Sequence, residues 1–499
     1  MENIISGIVV TVVCFSGYLL AYQSFRKERY NTAVLLLVLC GSILYLYVST
    51  DLYLHQWDER YHALVSKNLI KHPLKPTLYD NPLLAYDYRN WAGNHIWVHK
   101  QPVPLWTMAL SMRIFGVNEV ALRLPSIILS SAGIWLIYRI GKYFFGRKTG
   151  FLSAFLFSIN GLIIEMTGGR VATDHVDIFF MFFILLAVFL TTLYAERRKT
   201  IFTVLTGIST GAAILSKWMP ALIILPVWIL IVTDNGNIRL KQLMLQFLLL
   251  VVTIVIVFLP WQLYIYKEFP LEANWEAEFN LMHFTEVLDG RSGPFYYYLD
   301  RIRINYGELI YLPLVWFIIE TVRNYRNRNR IALCIWFLIP LVFFSMAKTK
   351  MQGYILFTSP ALFIMTSEFY YFLLGKMKSV KHKWIIYTVL ALLLILPVRY
   401  CIERAKPFNY RERNPEWVAE LRSLNSEHIE KGVLLNYGNP VEAMFYTDMT
   451  AYSSIPEKDK IVGWVDDGYT VIINDRDIPD WVAELDGVII RKFSQPDRN

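Results

Sequence analysis

Apolar runs of about 17–23 residues recur along this chain, and short clusters of Lys and Arg sit between them. That is the length that crosses a bilayer as a helix. Spans are expected near residues 4–24, 32–50, 122–141, 150–168, 176–195, 201–216, 219–233, 243–263, 306–321, 331–346, 352–374 and 384–400. This gives about twelve, or thirteen if 103–115 also crosses. Composition agrees: 55% of the residues are hydrophobic, above the roughly 45–50% of soluble domains. The expected fold class is an all-α polytopic membrane protein.

The formal net charge is +8, but its placement matters more than its sum. The clusters at 26–29, 146–148, 196–199, 238–241, 323–330 and 376–383 all fall on one side if the spans alternate from an outside N-terminus. Such clusters mark cytoplasmic loops and argue against nucleic acid as a partner. The four cysteines have no spacing that suggests zinc or a disulfide framework. No Lys or Arg precedes the first apolar run, so it reads as a retained helix rather than a cleaved signal peptide.

The outer face then carries loops of about 51–121 and 264–305, the short turn 347–353, and a tail from 402 to 499. The tail mixes β-like runs ("GVLLNY", "YTVIIND", "DGVIIRKF") with helical stretches ("PEWVAELRSL", "NPVEAMFY"). It reads as a small soluble α/β domain, dividing the chain into a membrane domain, 1–401, and an accessory domain, 402–499. Within the first loop, residues 59–72 have apolar residues at helical spacing, which suggests an amphipathic helix lying on the membrane. A second surface or re-entrant helix is expected after Pro104, ending at Gly116.

Candidate chemistry sits on this face. Asp58 and Glu59 could cap a helix, or one of them could take a proton from an attacking hydroxyl. Asp58 is preferred, at the cap position. His99 and Lys100 follow; Lys100 is either a snorkelling interfacial lysine or a cation for a leaving phosphate. Arg170 and Asp174 lie at a junction between spans, and Asp174 is preferred to Asp177 because it is nearer the turn. The second loop supplies Trp275, Glu278, His283 and Arg291, with His283 also readable as structural. Lys348 and Lys350, next to Tyr354, break the positive-inside tendency, which points to an anionic partner. Acids suit an acceptor hydroxyl and cations a lipid phosphate. A polyprenyl-phosphate substrate, with membrane lipids around it, fits both. No metal site is expected, although the acidic loops leave a divalent cation open as cofactor.

Five short motifs occur in order: the acidic pair, "HKQPVPLW…IFGVNEVALRLPS", the Arg170/Asp174 segment, "GPFYYYL" and "SMAKTKMQGYILFTSPAL". Over about residues 50–375 the chain resembles the GT-C membrane glycosyltransferases, near the protein O-mannosyltransferases and the lipid A aminoarabinose (ArnT-like) transferases. The resemblance implies Asp58 as catalytic acid with Glu59 beside it, and Lys100 as a phosphate contact; Arg170, Lys348 and Lys350, on the same face, are expected to assist Lys100 as further phosphate-binding cations. It also implies Asp174 as the second acidic position, His283 and Tyr354 as donor contacts, and inversion at the anomeric carbon. The chain departs from the family in having Gln101 between Lys100 and Pro102, and Glu286 where an Arg is common. The expected function is sugar transfer from a polyprenyl (undecaprenyl-type) phosphate to lipid A, another glycan or a protein, at the periplasmic face of the bacterial inner membrane. A transporter or lipid flippase is the alternative. It would place ionisable groups near the midplane of its spans.

Overall fold

Hydrocarbon forces each crossing segment to satisfy its own backbone, and the chain does so with helices. The computed structural model describes all residues except 1, 173, 235, 237, 378–380, 428 and 495–499. Part of the basic cluster at 376–383, residue 173 of the Arg170/Asp174 segment, and the end of the tail therefore lie outside the described residues.

All twelve expected spans coincide with helical segments, but not all are simple crossings. Eight helices are long and apolar enough on their own: Ile4–Arg26, Tyr30–Val48, Glu119–Phe145, His175–Arg197, Thr200–Lys217, Leu240–Glu268, Arg328–Met346 and Lys383–Ala405. Two further spans are bent pairs, Arg147–Ser158 with Gly161–Thr167 at 53° and Tyr297–Tyr306 with Glu308–Arg323 at 118°. Among the described residues eight helices, or up to ten if each bent pair is one span, are long and apolar enough to cross, against the twelve or thirteen expected. Met219–Thr233 is a shorter apolar helix. Pro102–Phe115 has 14 residues, too few to cross, and it starts three residues earlier than expected.

The breaks have local causes. At the first, Asn160 accepts from the Ile163 N–H at 3.1 Å and donates to the Asn305 carbonyl at 2.8 Å. It caps a new helix rather than continuing the old one. At the second, Gly307 takes φ +101°, which ends the preceding helix. Helix pairing uses small residues: a Cβ on Gly207 would lie 2.6 Å from Thr253, and one on Gly211 2.6 Å from Val257. These two glycines, four residues apart, let helices Thr200–Lys217 and Leu240–Glu268 approach closely.

The chain divides into two compact units, and the division is not the contiguous one. One unit is Met1–Ser49, Lys100–Pro104 and Arg123–Tyr410; the other is Thr50–His99, Leu105–Leu122 and Arg411–Asn499. The first outer loop and the tail are thus one body. Its centre is a parallel sheet of β1 (Gly432–Leu435), β2 (Thr450–Ala451), β3 (Thr470–Asn474) and β4 (Val488–Arg491), in the order β2-β1-β3-β4. All four residues of β1 are buried, as a parallel strand covered on both faces should be.

Helix Asp58–Lys71 belongs to this body and does not lie on a membrane surface as an amphipathic helix. Tyr61, Leu64, Val65 and Leu69 are buried, and its polar side chains are also engaged. Lys67 Nζ donates to the carbonyls of Met444, Phe445 and Thr447 at 2.9, 3.0 and 2.6 Å, capping the end of helix Pro440–Tyr446. Arg60 pairs with the buried Glu442 at 3.2 Å. Tyr452 Oη accepts from the N–H groups of Leu83 and Leu84 at 2.7 and 3.0 Å. The tail supplies the partners that the loop's polar groups need once they leave water.

Burial raises the Glu442 carboxyl pKa, and Arg60 opposes that shift. Arg60→Ala should therefore destabilise this unit by about 3 kcal/mol, because it strands a buried acid. Glu442→Gln in the same background should recover part of the loss. Thermal unfolding of the two variants in detergent checks both.

Candidate functional site

In the loop-and-tail unit the acids have distinct environments. Trp57, not Asp58, is the N-cap of helix Asp58–Lys71, with φ +74° and ψ −133°. A bulky residue there is an outlier that its surroundings must hold, at a cost of about 1–3 kcal/mol. The turn it makes places Asp58 and Glu59 in the first helical turn, where the helix dipole favours negative charge. Glu59 is fully buried. Its Oε2 accepts from the His55 backbone N–H at 2.6 Å and meets His55 Nδ1 at 2.8 Å. Asp58 is half-buried, which leaves it the more accessible of the pair.

Sequence reasoning missed the acid that organises this region. Asp51 is fully buried, 3.0 Å from His55 Nε2 and 3.0 Å from Arg411. The spacing 51-55-59 of Asp, His and Glu was the available signal. His99 stacks flat on Trp91, centroids 4.8 Å apart, with Trp97 at its edge. Its ring is held by aromatics of its own unit.

In the membrane unit, Lys100 and His283 are brought together around Glu276, which the sequence reading passed over in favour of Glu278. Burial pushes the Glu276 carboxyl up to about 8, against the pull of Lys100, His283 and a hydrogen bond from Asn280 at 3.1 Å. Burial lowers the His283 pKa and Lys100 lowers it further, while its Nδ1 meets the Phe279 carbonyl at 2.9 Å. Gln101 is tied to Gln262 at 3.0 Å.

The second loop and the 347–353 turn interlock through their backbones. The N–H groups of Lys348, Thr349 and Lys350 donate to the carbonyls of Phe284, His283 and Arg291 at 3.2, 3.0 and 3.0 Å. Arg291 is thus held at the end of this ladder. Lys348 points outward and is exposed. Lys350 is not: its Nζ donates to the carbonyls of Ser345 and Ala347 at 2.8 and 2.6 Å, and burial lowers its pKa. It caps helix Arg328–Met346, so its place is explained by that helix end rather than by an anionic ligand.

A second cluster surrounds Tyr354, whose ring centroid is 6.5 Å from that of His283. Lys217 Nζ sits 4.9 Å from the Tyr354 ring centroid and pairs with the buried Asp177. A cation over an aromatic face is held electrostatically. Lys217 was missed, yet the argument used for Lys348 applies to it: it is a lysine at the end of a span opposite the basic loops. Asp177, ranked below Asp174, is the acid in this ion pair. Asp174 is fully buried before helix His175–Arg197, and the neighbouring His175 Nδ1 meets Ser126 Oγ at 2.8 Å. Arg170 is half-buried, its N–H donating to the Glu165 carbonyl at 3.0 Å. Among the described residues no group of three or more His, Cys, Asp or Glu could hold a metal ion.

The Glu276 shift has a sign. Its carboxyl ordinarily titrates at 4.5 but at about 8 in the fold. The folded state therefore binds the proton more tightly, and stability falls as pH rises through this window. Glu276→Gln should flatten that slope. Unfolding midpoints between about pH 4.5 and 8 for both proteins measure it.

The family profile "Dolichyl-phosphate-mannose-protein mannosyltransferase" matches residues 99–264. The chain is 26% identical over 285 residues to the undecaprenyl phosphate-alpha-4-amino-4-deoxy-L-arabinose arabinosyl transferase of Pseudomonas savastanoi pv. phaseolicola, covering 54% of this chain and 51% of that relative. It spans about half the length of the relatives it matches in sequence. In structure it is similar to ArnT from Cupriavidus metallidurans bound to undecaprenyl phosphate, with a TM-score of 0.58, 15% identity and coverage of 89% and 88%. The oligosaccharyltransferase AglB of Archaeoglobus fulgidus follows, at a TM-score of 0.54, 14% identity and coverage of 86% and 65%. With the motif order and the helical architecture, these likenesses make the chain similar to the protein mannosyltransferases and aminoarabinose transferases, with a fold shared with ArnT and AglB.

Proposed function

We propose that this protein transfers a sugar from a polyprenyl phosphate to an acceptor on a lipid, glycan or protein, at the periplasmic face of the bacterial inner membrane. The observation that carries this is the grouping of Lys100 and His283 around Glu276 of helix Pro270–Thr285, outside the span-length helices. Relatives named for undecaprenyl phosphate transfer, and a solved neighbour holding that lipid, support the donor class.

The acceptor oxygen attacks the anomeric carbon as the bond from that carbon to the phosphate oxygen breaks, with inversion. The phosphate leaves with the bonding pair. Lys100 lowers the cost of the negative charge gathering there, with Lys217, Arg170 and Lys348 as further cations. For a hydroxyl acceptor, Asp58 takes the proton. A phosphate acceptor is already ionised near neutral pH, and Asp58 then orients it. Glu59 holds the turn that presents Asp58. Asp174, His283, Tyr354, Arg291 and His99 are the proposed substrate contacts, and Lys350 secures the end of helix Arg328–Met346. Flippase chemistry is disfavoured because these charges lie at span ends and in loops rather than midway along the spans.

Asp58→Asn should lower transfer by about 10²–10⁴-fold. Lys100→Ala should lower it by about 10²–10³-fold. Both are read as sugar released from a polyprenyl-linked donor in isolated membranes, by mass spectrometry of lipids and glycans. Retention of normal transfer by both variants would sink the proposal.

A further inference from the structure

The membrane unit contains a concave feature lined by none of Lys100, His283 and Tyr354. It is a crevice of about 940 Å³ between helix Tyr30–Val48 and helix Glu119–Phe145, at the end of the spans that carries the basic loops. Its lining has two chemistries. Val34, Leu35, Val38 and Trp135 supply apolar surface, while Arg29, Arg139, Lys142 and Arg147 line the same crevice with a single acid, Glu28.

These cations are not spent on acids. Among the described residues, the ion pairs of the protein include none of the four. Two of them rest on aromatic rings instead. The Arg139 guanidinium lies 5.2 Å from the Trp135 ring centroid and 5.4 Å from that of Phe189, and that of Arg147 lies 4.3 Å from the Tyr30 ring. Stacking fixes each guanidinium in place while leaving its N–H donors free of carboxylates. Arg139 is half-buried and sits inside a span-length helix, where an isolated charge is costly. Trp135 is 40% exposed and Leu35 57%, so the apolar surface is open to whatever surrounds the spans.

We propose that this crevice binds one anionic phospholipid, with its phosphate among Arg29, Arg139, Lys142 and Arg147 and an acyl chain along Val34, Leu35, Val38 and Trp135. Positive pockets between spans at the basic-loop face match a lipid headgroup in both charge and depth. The four-to-one excess of cations selects an anionic headgroup over a zwitterionic one. The apolar surface selects a lipid over a free phosphate ion. The site is independent of the transfer reaction.

The test is native mass spectrometry of the full chain in detergent, titrated with dioleoylphosphatidylglycerol or dioleoylphosphatidylethanolamine. The protein should retain the anionic lipid about tenfold more strongly than the zwitterionic one. The triple variant Arg139→Gln/Lys142→Gln/Arg147→Gln should lose that preference. The control Arg323→Gln/Arg326→Gln, which removes two cations of a basic loop outside the crevice, should keep it. Equal binding of the two lipids, or equal loss in triple variant and control, would overturn the proposal. Displacement of the bound lipid by millimolar inorganic phosphate would do so too, since it would make the site one for a small anion. Thermal unfolding without added lipid confirms that both variants are folded.

Discussion

Hydrocarbon offers no hydrogen bonds, and this one fact arranges the protein. Inside the spans the backbone must close on itself, so helices carry the mass of the membrane unit and polar groups are displaced to their ends. There they meet partners, Asp177 with Lys217 and Lys350 with the carbonyls that end its helix, while in helix Pro270–Thr285 Glu276 meets Lys100 and His283. Where a span does break, the break is satisfied, as Asn160 shows by bonding both to its own helix and to the Asn305 carbonyl. Candidate chemistry concentrates at span ends because charged groups are tolerated there.

The loop-and-tail unit solves a different problem. A long loop outside the membrane would expose apolar and polar groups alike, and the tail covers them. Lys67 caps a tail helix, Arg60 offsets a buried tail acid, and Tyr452 receives two loop N–H groups. The start of helix Asp58–Lys71 is therefore held rigidly, with Glu59 and Asp51 committed to His55 and, for Asp51, also to Arg411. Asp58 remains the half-buried member of the set. A rigid neighbourhood suits a general base, whose worth depends on geometry before pKa.

Span positions were legible in the sequence because apolar length is a local property, and all twelve fell on helix. Their continuity was not. Gly307 and Asn160 read as ordinary residues until φ and hydrogen bonds show what they do. The candidate residues split along the same line. Lys100, His283 and Tyr354 were singled out from motif order and stand in the membrane unit with Glu276 and Lys217 near them. Lys350 was singled out by the charge rule and turned out to cap a helix. That rule reports an unusual charge; it does not say whether the partner is a ligand or a carbonyl.

The sequence by itself determined that this is a many-span helical membrane protein with its polar loops and α/β tail segregated by length, period and charge. It also carried an ordered set of motifs that resembles the GT-C glycosyltransferases. Only the tertiary structure decided that the first loop and the tail form one unit, that Trp57 rather than Asp58 is the cap, and that Glu276 and Lys217 belong with the named residues. These are contacts between segments up to several hundred positions apart, such as Arg60 with Glu442. Local pattern records how a segment meets water or lipid. Which distant side chain satisfies a buried charge is decided by packing alone.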